Sequence, residues 1–229
     1  MTEPTTEEWA QAKALLAASA REICALQLGG QCPVETRLAS WWGGNFIAEA
    51  PAPGLLPLIQ IRVADLPEAF RGAFRSDYLL FWLAADPDLG ELIEGRDFAI
   101  QELLAPAAPL AAPELRNPDG GLVLFQLHPL TGRIQRPSWE DFADKVPRAV
   151  ARSSEGDWFF NHPNEIGDDD LAVLIGGWPQ WIQGEQTPAD GEFLLQVVST
   201  DKGRLNYGDG GNLYLFRGPD GWQLKGDYY

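Results

Sequence analysis

The feature that most restricts the fold is the punctuation of the chain after residue 30. Short apolar or alternating runs follow one another there, each closed off by Gly, Pro or Asp. Runs of this kind between turn residues are strand signals. They predict strands over Leu56–Val63, Tyr78–Ala84, Asp97–Leu103, Gly121–His128, Phe193–Val198 and Asn212–Arg217. The opening residues differ. Thr5 and Glu8 have capping-box spacing, and Trp9, Leu16, Ile23 and Leu26 recur near the helical period, so residues 5–28 are expected to form an amphipathic helix that Gly29-Gly30 ends. Ser138-Trp139-Glu140-Asp141 should start another helix, carried on by Phe142 and Val146 until Pro147 interrupts it. The proline-rich stretch Leu104–Pro118 reads as an extended connection. The expected class is α+β, a β-rich body with an N-terminal helix.

A chain of 229 residues with 45% hydrophobic content, nine Trp and eleven Phe has the apolar surface for a large core. At this size roughly 70–75% of the unfolded surface is buried on folding, so neither a disulfide nor a metal is needed for stability. The expected organisation is an N-terminal helix over residues 1–30 and a single domain over 31–229. Within that domain two stretches run in parallel. Trp42-Gly43-Gly44-Asn45-Phe46 precedes Gln60, which lies sixteen residues after Gly44; Ile175-Gly176-Gly177-Trp178 precedes Gln196, nineteen after Gly177. Phe81 then lies 21 residues beyond Gln60, and Phe216 lies 20 beyond Gln196. These matches point to an internal duplication of one β unit, with halves at about 36–105 and 136–229.

The same elements resemble the YwqG family of bacterial proteins. The resemblance is carried by Ile175-Gly176-Gly177-Trp178-Pro179-Gln180-Trp181-Ile182-Gln183, by Leu194-Leu195-Gln196, and by Tyr207-Gly208-Asp209-Gly210-Gly211-Asn212-Leu213-Tyr214. The first half adds Ser40 to Gly44 and Leu58-Ile59-Gln60-Ile61-Arg62-Val63-Ala64-Asp65-Leu66-Pro67. Together these cover roughly residues 36–217. The resemblance implies an α+β fold and little about activity, since the family is one of largely unknown function; some relatives lie among toxin and immunity loci. Tyr207 stands where the family pattern has Trp, and Asn45 stands where it has Pro; either change would alter a shared pocket.

Charge narrows the function classes. Thirty-three acidic against seventeen basic residues leave a formal charge of −16. Nucleic acid and anionic membrane both call for a basic footprint, so neither is expected as a direct partner. Complementary potentials steer association, so a basic protein is the partner class that such acidity suits. The N-terminus has no signal-peptide pattern and no stretch approaches the ~18 apolar residues of a membrane span, which predicts a cytoplasmic protein.

Catalytic signals are sparse. Cys24 and Cys32 fit neither a redox motif nor a zinc pattern and are expected to be reduced, structural thiols. His128 and His162 are each followed by Pro and belong to no metal motif. No Ser sits in a nucleophile elbow, and Gly208-Asp209-Gly210-Gly211 reads as a hairpin turn rather than a phosphate loop. No cofactor, metal or catalytic residue is expected.

The densest acidic run, Glu165 with Asp168, Asp169 and Asp170, follows Glu155, Asp157, Trp158, Phe159 and Phe160. Aromatic anchors beside charges suit a protein interface, although the same aromatics would also serve a core. The sequence therefore points first to an immunity-type protein that neutralises a basic toxin, such as a secreted nuclease, through Glu155, Asp157, Trp158, Glu165 and Asp168–Asp170. The alternative is a small-ligand or enzymatic module with Gln60, Gln183, Gln196 and Asp209 in a cleft between the halves. Against that stands the plainer reading that a Gln in an apolar strand bonds neighbouring backbone amides.

Overall fold

The computed structural model describes residues 3–30, 38–44, 46–106, 122–153 and 171–229. Helix α1 (Thr6–Ala18) opens on the anticipated capping box: the Glu8 N–H donates to the Thr5 hydroxyl at 3.2 Å and the Thr5 N–H donates to Glu8 Oε2 at 2.8 Å. It stops ten residues short of the expected end. Ser19 donates through both its hydroxyl and its N–H to the Leu15 carbonyl, closing the last turn. Residues Arg21–Leu28 then form a strand, β1. Its apolar run Ile23-Cys24-Ala25-Leu26 fits a helix by period, but it equally fits a strand buried on both faces, and pairing with two neighbours settles the matter. The stretch expected to be one helix is thus a helix followed by a strand near the middle of the sheet.

The remaining strands are β2 (Trp41–Trp42), β3 (Leu55–Arg62), β4 (Tyr78–Ala84), β5 (Phe98–Leu103), β6 (Phe125–Gln135), β7 (Leu171–Ile175), β8 (Glu192–Val198), β9 (Asn212–Arg217) and β10 (Trp222–Asp227). Two of the expected strands, β4 and β9, have the expected bounds; β3, β5 and β8 shift by one residue. β6 runs on through Pro129 to Gln135, and β1, β2, β7 and β10 were not anticipated. Pro147 separates the short helices α3 (Trp139–Phe142) and α4 (Arg148–Ala151), as its missing N–H dictates. Another short helix, α2 (Glu68–Arg71), follows β3. Most of the expected connection Leu104–Pro118, from residue 107 on, lies outside the described residues.

All ten strands join one antiparallel sheet in the order β10-β9-β8-β7-β1-β6-β2-β3-β4-β5. The sheet curls into a nearly closed barrel. Its interior holds one core drawn from both ends, including Leu26, Trp42, Ile59, Phe81 and Phe98 with Leu195, Leu215 and Leu224. The outer face is covered in patches. Phe46 packs on Trp82 over β4, Trp181 packs on Tyr214 and Phe216 over β9, and α1 packs with α3 and α4 around Phe142. Burial on both faces explains why β4 reads as an unbroken apolar run.

β5 and β10 end the sheet and face each other without a ladder between them. Side chains bridge the gap. Arg217 on β9 pairs with Glu102 on β5 at 3.1 Å and donates to the Ala73 carbonyl at 2.9 Å. Among the described residues no helix is long and apolar enough to cross a membrane.

Candidate functional site

Two corners of the sheet place the residues of the alternative reading. After β2, Gly43 and Gly44 take φ of 61° and 91°; after β7, Gly176 and Gly177 both take 73°. That left-handed backbone reverses the chain and lays it back over the outer face of the sheet, a course glycine takes without steric cost. The Gly43 N–H donates to Leu58 O at 2.8 Å, and the Gly176 N–H donates to Leu194 O at 3.0 Å. At each point the register slips, so Leu58 with Ile59, and Leu194 with Leu195, both enter the core. The next residue is the glutamine, turned outward beneath the returning chain. Gln60 Oε1 accepts from Ile47 N–H and Gln196 Oε1 accepts from Gln180 N–H, each at 2.9 Å and each three residues past the second glycine. Gln60 Nε2 also donates to Ala39 O at 2.7 Å.

The sequence alignment of Phe81 with Phe216 slips by one. Gln60 lies opposite Leu80 and Gln196 opposite Tyr214, so Phe81 occupies the position of Leu215. The two connections from the glutamine to its facing residue differ by two in length, so equal spacing along the chain does not mark equivalent positions.

The remaining polar groups of that reading do not join Gln60. Gln183 Nε2 donates to Tyr228 O at 2.6 Å, and exposed Asp209 accepts at its carbonyl from the Tyr229 N–H. Gln60 and Gln196 sit in opposite wings of the sheet, and both amides hold backbone. Gly208 to Gly210 form a turn ahead of β9, with Gly211 N–H donating to Tyr207 O at 2.8 Å. The segment read as an interface, with Glu155, Asp157, Trp158, Phe159, Phe160, His162, Glu165, Asp168, Asp169 and Asp170, lies outside the described residues, as does Cys32. Cys24 is buried in the core, and burial first, then Glu22, pushes its thiol up to about 11. His128 is exposed on β6, and no metal-holding group of His, Cys, Asp and Glu occurs among the described residues.

A different place gathers polar and aromatic groups. A cleft of about 250 Å³ opens at the seam, between residues 222–226 of β10 and the β4–β5 loop. Glu91, Glu94, Phe98, Tyr207, Trp222 and Lys225 line it. The loop is held in shape by Asp97, whose carboxylate accepts from Ile93 N–H at 2.8 Å and Asp88 N–H at 3.4 Å and pairs with Arg96 at 2.7 Å. Burial alone would raise the Asp97 carboxyl; the Arg96 hydrogen bond and the two backbone donors outweigh it and hold the group below its ordinary value.

With that frame fixed, Asp86, Asp88, Glu91 and Glu94 stay exposed, and so do Leu89 and Ile93. Tyr207 is 3% exposed, and its hydroxyl has no hydrogen-bond partner among the described residues. Burial raises that phenol to about 12. The ring is admitted by Gly226, where any side chain would meet the hydroxyl at 2.5 Å. Sequence reasoning missed this site because its acidic residues are spaced along a loop rather than run together; their signal was five acids against one Arg between residues 86 and 97.

Compared with known proteins, the chain matches no family model and no curated sequence.

Proposed function

We propose that this chain is an immunity-type binding protein of the cytoplasm that captures a basic protein toxin, with a nuclease as the natural case because its substrate groove is cationic. The observation that carries the proposal is how the fold disposes its charges. The formal charge is −16, and six of the basic side chains are anchored on backbone carbonyls: Arg21 on Gly177, Arg71 on Leu66 and Ala64, Arg96 on Glu91, Lys145 on Asp141, Lys202 on Leu28 and Arg217 on Ala73. Carboxylates such as Glu49, Asp86, Asp88, Glu91, Glu94, Asp190 and Asp220 are left at the surface. Arg21, Arg71 and Arg96 remain exposed, so the surface is mixed, but with 33 acids against 17 bases the field that a partner meets is net negative. Long-range attraction of this kind raises the association rate.

The proposal includes the YwqG-like reading and the duplication. What supports the duplication is the pair of corners, with the same Gly-Gly reversal, the same bulge and the same glutamine-to-backbone bond. The sheet order supports it further, because β2-β3-β4-β5 and β7-β8-β9-β10 form its two wings around β1 and β6.

Coexpression with a cationic toxin encoded beside the gene tests the reading. Growth should be restored, and surface plasmon resonance should show association slowing as the Debye length falls to ~8 Å at physiological ionic strength. Absence of rescue, or association indifferent to salt, would overturn it.

A further inference from the structure

We propose that the seam cleft between β10 and the β4–β5 loop is a docking pocket for one cationic side chain of a protein partner, an arginine in preference to a lysine. The inference rests on the reading of the chain as a binder of basic proteins and says where such a partner is gripped. Size comes first. At about 250 Å³ the cleft falls below the roughly 300–1,000 Å³ usual for small-molecule sites, and suits a single long side chain.

Its chemistry is that of acceptors. A guanidinium carries five donors and no acceptor, so it needs oxygens around it. Glu91 and Glu94 supply carboxylates, and Tyr207 in the cleft wall holds a hydroxyl that is buried from solvent and has no hydrogen-bond partner among the described residues, an oxygen that an entering guanidinium would satisfy. Glu94 stands at the seam itself: a Cβ added at Gly221 would lie 3.4 Å from its Oε2, and the Trp222 backbone is a hydrogen-bonding neighbour. Partial burial raises the Glu94 carboxyl above its ordinary value, offset in part by that backbone contact. A cation beside it would reverse that shift.

Two further features set the surroundings. Among the described residues no strand pairs with the outer edge of β10, which is the edge that an extended segment of a partner would join by strand addition. Leu89 and Ile93, at 44% and 40% exposure, provide apolar contact on the acidic loop. Lys225 is the group that argues the other way. It lines the cleft and makes no ion pair among the described residues. The loop from 86 to 97, with five acids and one Arg, outweighs it.

The test titrates ¹⁵N-labelled full-length chain with N-acetyl-arginine amide, using the matching citrulline derivative as a neutral control. Amide shifts should saturate at Glu94, Trp222 and Lys225, and the citrulline compound should bind at least about tenfold more weakly, the range expected for hydrogen bonds to charged groups. The exposed double variant Glu91→Gln/Glu94→Gln should abolish binding. Lys225→Gln should tighten it about two- to fivefold by removing a like charge. Tyr207→Phe should weaken it about threefold. That variant should also raise the melting temperature, because the free protein loses an unpaired buried hydroxyl. Binding should strengthen as pH rises through the Glu94 titration.

Unsaturable or scattered shifts, equal binding of citrulline, or weaker binding by Lys225→Gln would overturn the proposal, the last by marking an anion site. The two readings separate cleanly. A cleft that takes the arginine probe in a chain binding no cationic toxin would defeat the partner reading and leave the pocket; full-strength toxin binding by Glu91→Gln/Glu94→Gln would defeat the pocket and leave the partner reading.

Discussion

The corner after β2 and the corner after β7 use one backbone device and are locked by different chemistry. At the first, the returning chain is held at Ile47 by the neutral amide of Gln60, while the chain ahead of β2 is held by Gln60 at Ala39, by the Tyr78 hydroxyl at the Leu38 carbonyl at 3.0 Å and by the Asp65 carboxylate at the Ser40 N–H at 3.0 Å. At the second, a buried carboxylate does most of the holding. Asp227, 1% exposed, accepts from Ile182 N–H at 2.7 Å and lies 2.7 Å from the Tyr214 hydroxyl, which also contacts the Gln180 carbonyl at 2.5 Å. The reversal itself asks only for two glycines and a side-chain amide. How tightly the overlying chain is fixed depends on what the neighbouring strand offers: β10 sets a buried carboxylate against the returning chain, whereas the carboxylate near the first corner, Asp65, bonds Ser40 ahead of the reversal.

The comparison breaks most visibly at that charge. Asp227→Ala leaves the Ile182 N–H without its acceptor, takes the charged partner from the Tyr214 hydroxyl, which keeps the Gln180 carbonyl, and opens a space in the buried site, so it should cost about 3–5 kcal/mol in urea denaturation. No single substitution in the first corner should match it. An equal loss for Tyr78→Phe would mean that the two locks are equivalent after all.

Alanine at the second glycine of each corner comes next. A Cβ at Gly177 would meet Gln135 Oε1 at 2.0 Å and Ile23 Cγ2 at 2.4 Å, whereas at Gly44 it would meet the terminal Leu124 Cδ1 at 2.3 Å. The first pair is fully buried; the second is the terminal methyl of a half-buried leucine, the more easily displaced of the two. Gly177→Ala should therefore cost about 2–4 kcal/mol and Gly44→Ala about 1–2, both including the strain of a positive φ.

The glutamines sharpen the same contrast in reverse. Gln60→Ala removes partners from Ile47 N–H and Ala39 O and should cost about 2–3 kcal/mol; Gln196→Ala removes one, at Gln180 N–H, and should cost about 1–2. Equal costs would show that the Ala39 bond contributes nothing.

The smallest effect at neutral pH becomes large in alkali. Burial, with Asp227 next, raises Tyr214 beyond the ordinary phenol range, and burial brings Tyr207 up to about 12; both lie in the second wing. An acid whose folded pKa is raised contributes stability that is fully present below the unfolded value, ~10 for a phenol, and is lost as pH rises through the folded value. The melting temperature should hold up to pH ~10 and then fall, and Tyr214→Phe should flatten that fall. A profile unchanged by Tyr214→Phe would place the alkaline weakness elsewhere.

Much of this architecture was legible in the residues, where local chemistry decides. The capping box at Thr5 and Glu8, the strands Tyr78–Ala84 and Asn212–Arg217, the break at Pro147 and the paired Gly-Gly and Gln positions all follow from spacing, turn preference and backbone freedom over a few residues. What the sequence left undecided were runs that satisfy two periods at once or read too weakly alone. Ile23 to Leu26 suit a helix and a strand equally, and become β1 because β6 and β7 leave a slot that only a strand fills. Trp222–Asp227 gains its strand through pairing with β9, and Asp227 becomes a buried anchor only once the chain after Gly177 lies over it. The seam cleft is the furthest from sequence. The β4–β5 loop lies more than a hundred residues from Tyr207 and Lys225 along the chain and meets them because the sheet curls until its ends face each other, a long-range closure that no local pattern encodes.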